Sequence, residues 1–461
     1  MSGMSPARPS EAIRNALRGA YLLRAPSLAV RSPTRGAASL IVVMVLFFLL
    51  SLVAAYSGRN LIFEQRTSVN QFRAVQGFEA AEAGLEWALA LLNGGRIGDT
   101  CLETGATSTQ TSFRQRYLNI DPITGRITHR LAADGAMLTP SCVFNGATWI
   151  CSCPSDGAPV LAQPLGNAVF PAFRLRFVTP TGLRPGVVGI EVQGCTRLNN
   201  ACLNFPGTAV DSEGRALVSA FIALKPALAT PPAAALTVFG DVSPGSVVNA
   251  YNTENDRGGL ALHVGNPSGA VINTGGFVLR GPPGASAAAA AVLEDPFLRA
   301  LSDAPSRVFP TMLGTWPVTY RQQPAVVEFT CPIADCRGAL ASRVALNPGR
   351  IFWIQGDLTL DSAGDIGSLP DPANPAAPGP VMLVVTGSLV FSSPGVRLFG
   401  FVYSQNGNWQ GSGQIQGAAF IEGSLGAAAA PTVNVVGSVM DAMRMQNGSF
   451  VRVPGSWKDF E

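Results

Sequence analysis

Charge and histidine are what this sequence has least of. Of its 461 residues only 13% are charged, and the only histidines are His129 and His263. No Cys-x-x-Cys pair occurs, so Cys151 and Cys153, one residue apart, lack the companions of a four-ligand zinc site. No Ser-His-Asp arrangement can be assembled, and His263 in ALHVGNP sits where alternation places a structural strand residue. The chain is therefore expected not to be an enzyme. The net charge is only +3, and six arginines (Arg8, Arg14, Arg18, Arg24, Arg31, Arg35) face the single Glu11 in the first 35 residues. The nearly neutral remainder offers no basic surface for nucleic acid. Low charge does not mean disorder here, because aromatics reach 8% and 50 Gly and 35 Pro separate many short apolar runs. That texture implies a β-rich fold.

Charge is missing altogether between Arg35 and Arg59. Ala37 to Ser57, through Ile41 and Phe47, is about 21 residues, roughly 32 Å as a helix, which matches a bilayer core and exceeds a usual signal-peptide core. Val53 and Ala55 are small enough for signal-peptidase recognition, which leaves cleavage after Ala55 as the competing fate. The preceding arginines hold the N-terminus in the cytoplasm and send the rest outward. All eight cysteines lie after the segment (Cys101, Cys142, Cys151, Cys153, Cys195, Cys202, Cys331, Cys336), an even number that points to oxidised pairs in a periplasmic or extracellular space.

Proline is absent from the next stretch as well, NLIFEQRTSVNQFRAVQGFEAAEAGLEWALALLNGG. There Phe78, Ala81, Leu85, Ala88 and Leu92 recur at three- and four-residue steps until Asn93-Gly94-Gly95. One helix of about 57 residues, roughly 85 Å, is implied. Its first half is apolar all round and its second half is striped, with Phe78, Leu85 and Leu92 packing onto a domain. Glu79, Glu82 and Glu86 share a face that is either solvated or turned to a neighbouring subunit.

Arg35-Gly36-Ala37 followed at once by the apolar run resembles a class III prepilin signal. FEAAEAGLEWAL (Phe78 to Leu89) is similar to the helix of PilX-type minor pilins of type IV pili. The resemblance implies cleavage between Gly36 and Ala37, leaving Ala37 as the mature N-terminus. Major pilins carry Glu where this chain has Ile41. A buried carboxylate in an apolar helix is costly without a partner charge, and its absence fits a subunit at a filament tip or in a priming complex.

From about Thr100 to Pro226, runs such as FRLRFVTP, GVVGIEVQG and ALVSAFIALKP read as strands. The long helix laid on an antiparallel sheet is the pilin head arrangement. GCTRLNNACL and CPIADC imply local Cys195–Cys202 and Cys331–Cys336 bridges, and Cys142 is expected to bond across the NGATW turn to Cys151 or Cys153. PALATPPAAA reads as a linker.

Beyond it, six apolar runs end in Gly240, Gly356, Gly387, Gly407, Gly423 and Gly437, the later ones 20, 16 and 14 residues apart. This predicts an irregular β-solenoid whose glycines turn corners with positive φ, with a glycine-rich β-sandwich as the alternative. Two interruptions are expected: a helical insert around ASAAAAAVLEDPFLRALSDAP covering an open edge, and an exposed loop, SLPDPANPAAPGP. The second half is also similar to long PilX-type proteins, through GDLTL and GSFVRVPGSWKDF. Asp357, Asp361, Asp365 and Asp371 form no EF-hand pattern, so no cofactor is expected, with calcium as the alternative at these carboxylates.

The expected class is thus α+β and β-rich, divided into a leader (1–36), a membrane and pilin helix (37–93), a disulfide-containing head (94–226) and a solenoid-like domain (227–461). The resemblance implies an inner-membrane prepilin with a periplasmic C-terminus that later enters a pilus at the cell surface. Its implied partners are other minor and major pilins, prepilin peptidase, the inner-membrane assembly platform and a large pilus-tip adhesin. A minor pseudopilin of type II secretion and an unpolymerised adhesin or carbohydrate-binding protein are the alternatives.

Overall fold

The computed structural model describes residues 35–459 apart from 106–109, 167, 183, 206, 208–212, 244, 266–275, 302–306, 333–334, 375 and 430–431. The expected leader up to residue 34 lies outside the described residues, as do the side chains of 35–38. The chain divides into two units, residues 1–67 and 68–461. The first is described as the front of one helix, α1 (Arg35–Leu92).

The second unit begins with the rest of α1. Then come α2 (Phe113–Tyr117), a small hairpin of β1 (Leu118–Ile120) and β2 (Ile127–His129), and strands β3 (Ser141–Phe144), β4 (Trp149–Ser152), β5 (Ala172–Val178) and β6 (Val187–Cys195). The short α3 (Asn200–Leu203) leads into β7 (Arg215–Pro226). After it come β8 (Ala234–Val238), β9 (Val248–Tyr251), β10 (Leu260–Val264), β11 (Phe277–Arg280) and β12 (Ala291–Val292). Helices α4 (Pro296–Ala300), α5 (Val308–Leu313) and α6 (Pro317–Arg321) follow, then β13 (Val326–Phe329) and α7 (Cys336–Leu346). The chain continues through β14 (Ile351–Ile354), β15 (Leu358–Leu360), β16 (Gly364–Ile366), β17 (Val381–Phe391), β18 (Val396–Trp409), β19 (Gln414–Ile421), β20 (Leu425–Ala427) and β21 (Thr432–Asn434). It closes with α8 (Gly437–Met445) and β22 (Gly448–Arg452).

The head sheet is antiparallel in the order β22-β7-β6-β5-β3-β4. Alternation in β7 turns Val218, Ala220, Ile222 and Leu224 inward, and Phe173, Leu175 and Phe177 do the same on β5. They meet Leu85 and Leu92 of α1 and Phe113 and Phe450 in one core, where each large apolar side chain contributes about 1.5–3 kcal/mol.

The larger sheet is parallel throughout, which sets aside the antiparallel sandwich. One ladder stacks β13, β14, β17, β18, β19, β8, β10 and β12. A second stacks β16, β18, β19, β21, β9 and β11, and a third stacks β15, β17, β18 and β20. Met382 pairs with Phe401, Arg397 with Gln414 and Gln414 with Thr432, so a coil takes 19, 17 or 18 residues. Three ladders with one coil per turn are a three-faced solenoid. Chain order and stacking order differ, because the coils of 234–292 lie beyond β19 and β21 while α4 to α6 carry the chain back to β13 at the opposite edge.

Four expectations are corrected here. Of the six repeat glycines only Gly356 has positive φ (+89°). Two of the others are small for a different reason: a Cβ on Gly240 would lie 2.5 Å from Gly423 O, and one on Gly387 would lie 2.5 Å from Gly356 C, so these glycines pack against a repeat glycine of the neighbouring coil, while a Cβ on Gly407 would meet the Leu425 side chain at 2.8 Å. Gly437 is not a corner at all but the first residue of α8. Among its described residues the alanine-rich insert is α-helical only at Pro296–Ala300, since Ser286 to Ala290 make a turn that feeds edge strand β12. The supposed linker is partly core: Ala227 and Leu228 are fully buried, and the Ala227 carbonyl accepts the Tyr320 hydroxyl at 2.6 Å. The last strand does not follow the boundary at 226/227, because β22 leaves the solenoid and pairs with β7 of the head. The solenoid is therefore inserted between two neighbouring strands of the head sheet.

Candidate assembly helix and its seat

Residues 37–57 of α1 contain no ionisable side chain except Tyr56. Ile41 and Phe47 are 61% and 69% exposed, and Ser57 is exposed too. The Ser51 hydroxyl donates to Phe47 O at 2.7 Å, so the backbone of its own helix satisfies it, as a lipid or protein interior requires. Among the described residues this is the one helix long and apolar enough to cross a membrane. Gly36 and Ala37 are helical in backbone, and their side chains lie outside those described.

The seat of α1 in the second unit is built from small residues. Ala81 and Ala88 are fully buried and Ala80 nearly so. Gly84 presses on Phe173 and Val192, where an added Cβ would come within 2.7 Å of both side chains. Across from them, a Cβ on Gly194 of β6 would lie 2.5 Å from the Ala81 backbone nitrogen, and one on Gly214, just before β7, would come closer still to the Arg73 carbonyl. Helix and sheet thus touch backbone to backbone, and Leu85 and Leu92 fill the space beyond. Phe78, expected as a core position, is only partly buried and meets Trp457 edge-on at 6.1 Å. Glu86 pairs with Arg452 at 3.5 Å within the chain, while Glu79 is exposed and Glu82 partly so.

The end of the helix is fastened by side chains that the sequence reading missed. Asn93, read only as a stop, donates to Leu89 O and Phe450 O at 2.9 Å and accepts from Phe450 N at 2.8 Å. Arg114 donates to Leu92 O, Gly349 O and Gly448 O at 2.8–3.1 Å and lies over the Phe450 ring. Arg96 reaches Ala345 O at 2.5 Å and also Gln110 O and Ala376 O. Arg116 holds Ile97 O at 2.9 Å, Asp99 at 3.0 Å and Cys153 O. These segments are far apart in sequence, and the arginines carry no local pattern beyond FRQRY. The Ala376 carbonyl also pins the proline-rich 368–380 loop, which was expected to be simply exposed. Burial and the like charge of Arg350 push the Arg114 guanidinium down to about 9.

The cysteines pair as Cys101–Cys153, Cys142–Cys151, Cys195–Cys202 and Cys331–Cys336. The four candidate aspartates are engaged separately: Asp357 accepts Ser388 N, Asp361 accepts Cys336 N and Arg337 N, Asp365 binds Arg397, and Asp371 accepts Ala373 N. Among the described residues no three His, Cys, Asp or Glu side chains gather as a metal site. His129 bonds Thr179 at 2.7 Å, and His263 on β10 bonds Asp295.

An N-terminal helix that is apolar and exposed in front, and seated on an antiparallel sheet behind, is the architecture of a pilin. Residues 35–86 match the PilX N-terminal family, and this stretch covers both the apolar front and most of the seat. The chain thus carries a PilX N-terminal segment, the stretch that this family shares with type IV pilus-related minor pilins. The crystal structure of the competence-associated pilin ComZ from Thermus thermophilus is similar at 12% identity over 84% of this chain and 97% of that one, with a TM-score of 0.20 too low to carry an argument. No curated protein matches the sequence.

Proposed function

We propose that this protein is a minor pilin that is cut between Gly36 and Ala37 and then primes, or is incorporated near the tip of, a type IV pilus. The PilX-type match over residues 35–86 carries this reading, because the matched stretch joins an exposed apolar helix to a seated one. In this reading the front of α1 packs among neighbouring pilins, and the head and solenoid face outward for a partner or surface. The inner-membrane platform and prepilin peptidase act before assembly, and a large tip adhesin is the partner at the tip. Ile41 in place of a glutamate favours a place where no neighbouring terminal amine has to be paired. The four disulfides suit a periplasmic and then extracellular head.

Mass spectrometry of sheared pili is expected to find peptides of this chain, far fewer than those of the major pilin, with Ala37 as N-terminus. An N-terminus at Met1 in the purified protein would instead support an unpolymerised adhesin, and recovery only with a secretion pseudopilus would support the pseudopilin. Gly36→Val is expected to block maturation on an immunoblot, because the peptidase has to approach that backbone closely. Normal maturation would overturn the cleavage site.

A further inference from the structure

We propose that the crevice between α2 and the proline-rich 370–380 loop binds a small carboxylate-bearing ligand. It encloses ≈180 Å³, is walled by Ile120, Pro348, Pro378 and Pro380, and is lined by Arg114 and Arg130. At about 30 Å³ per water this is room for roughly six waters, enough for a sugar acid or one terminal amino-acid residue.

The charge of the site is what calls for an occupant. Arg114 is only 3% exposed, and its Nε, Nη1 and Nη2 each donate to one backbone carbonyl. A guanidinium has five N–H donors, so two are left over, and they have no acceptor among the described residues. Arg130 donates from Nε to Leu118 O at 3.1 Å, and its remaining donors likewise meet no acceptor among the described residues. No carboxylate forms an ion pair with either arginine among those residues. Asp371 lines the mouth, is exposed, and accepts Ala373 N at 2.9 Å. Arg350, the charged neighbour that acts on Arg114, has the same sign.

A buried charge without a counter-charge is costly, and a planar carboxylate fits the guanidinium fork better than a compact neutral group does. The prolines supply rigid apolar walls that lose little entropy when the ligand enters. Gly349 keeps the floor open: its φ is +74°, and a Cβ there would lie 3.0 Å from Arg114 Nη1.

The test is calorimetric titration of the detergent-solubilised full chain with glucuronate, N-acetyl-alanine and trialanine, each beside its neutral amide, and with inorganic phosphate. Acids are expected to bind at least about tenfold tighter than their amides. Arg130→Ala is expected to weaken binding about 10- to 100-fold while lowering the melting of the ligand-free protein by no more than the loss of its single half-buried carbonyl bond does. Glucuronate preference would identify an acidic sugar as the source, and trialanine preference a peptide terminus. Equal binding of acid and amide, an Arg130→Ala variant that binds as well as wild type, tighter binding of phosphate, or no binding by any acid would overturn the proposal.

Discussion

Gly194 of β6 and Gly214, just before β7, face α1 at distances where no side chain fits. Gly194→Val is expected to lift the helix from β6 and to cost about 3 kcal/mol or more, read as a lower urea midpoint with a similar slope. An unchanged midpoint would mean that the backbones do not meet there. Periodicity made Leu85 and Leu92 legible, because a helix advertises its own buried face. Gly194 and Gly214 were illegible, because their smallness answers a helix more than a hundred residues earlier in the chain. Arg114 was equally silent, since its partners are carbonyls, which every residue carries. Asp335 offers a residue-scale test of charge. It accepts from Ser362 Oγ at 2.8 Å and from Gly338 N at 3.0 Å at the start of α7. These bonds hold its carboxyl below its ordinary value of 3.8. A depressed folded pKa contributes stability that is present above the ordinary value and lost as pH falls through the folded one. The advantage of wild type over Asp335→Asn should therefore shrink between about pH 5 and about pH 2, whereas a constant difference would show that the ionised form is not what stabilises the cap.

Among the elements, α1 was the most legible, because 58 residues without proline and with a change from all-apolar to striped leave one solution. The solenoid was legible in outline from its recurring glycines, but not in mechanism. Gly400 and Gly417, which have φ of +147° and stack at another corner, are followed by Phe401 and Ala418 rather than by the small polar residue that marked the repeat. The alanine run failed as a helix because turns at Ser286 to Ala290 and the β10 edge claim it. Cys101–Cys153 joins the loop leaving α1 to the end of β4 across 52 residues. Replacing both by alanine is expected to cost about 2–4 kcal/mol, seen as a lower melting temperature. The same change at Cys331 and Cys336, only 5 residues apart, should cost less because the closed loop is shorter. Equal losses would place the effect in local packing rather than in chain closure.

For the whole second unit, the division at 226/227 could not be read, because local composition does not record that β22 returns to β7 across more than two hundred residues. Asn93, Arg96 and Arg114 bond residues from the head, the solenoid and β22 together. Head and solenoid are therefore expected to unfold in one transition, with far-UV circular dichroism and tryptophan fluorescence coinciding in urea. Two separated transitions would mean that the buried arginines do not couple them. The solenoid enters and leaves the head at two points bonded to each other, with Ala227 N donating to Asn447 O at 2.9 Å. A tug on the solenoid would thus reach the head through two adjacent strands, β7 and β22, and be shared along the nine paired residues that tie β7 to β6. A domain on a single stalk would concentrate the same tension at one hinge, so this inserted arrangement is suited to bearing mechanical load.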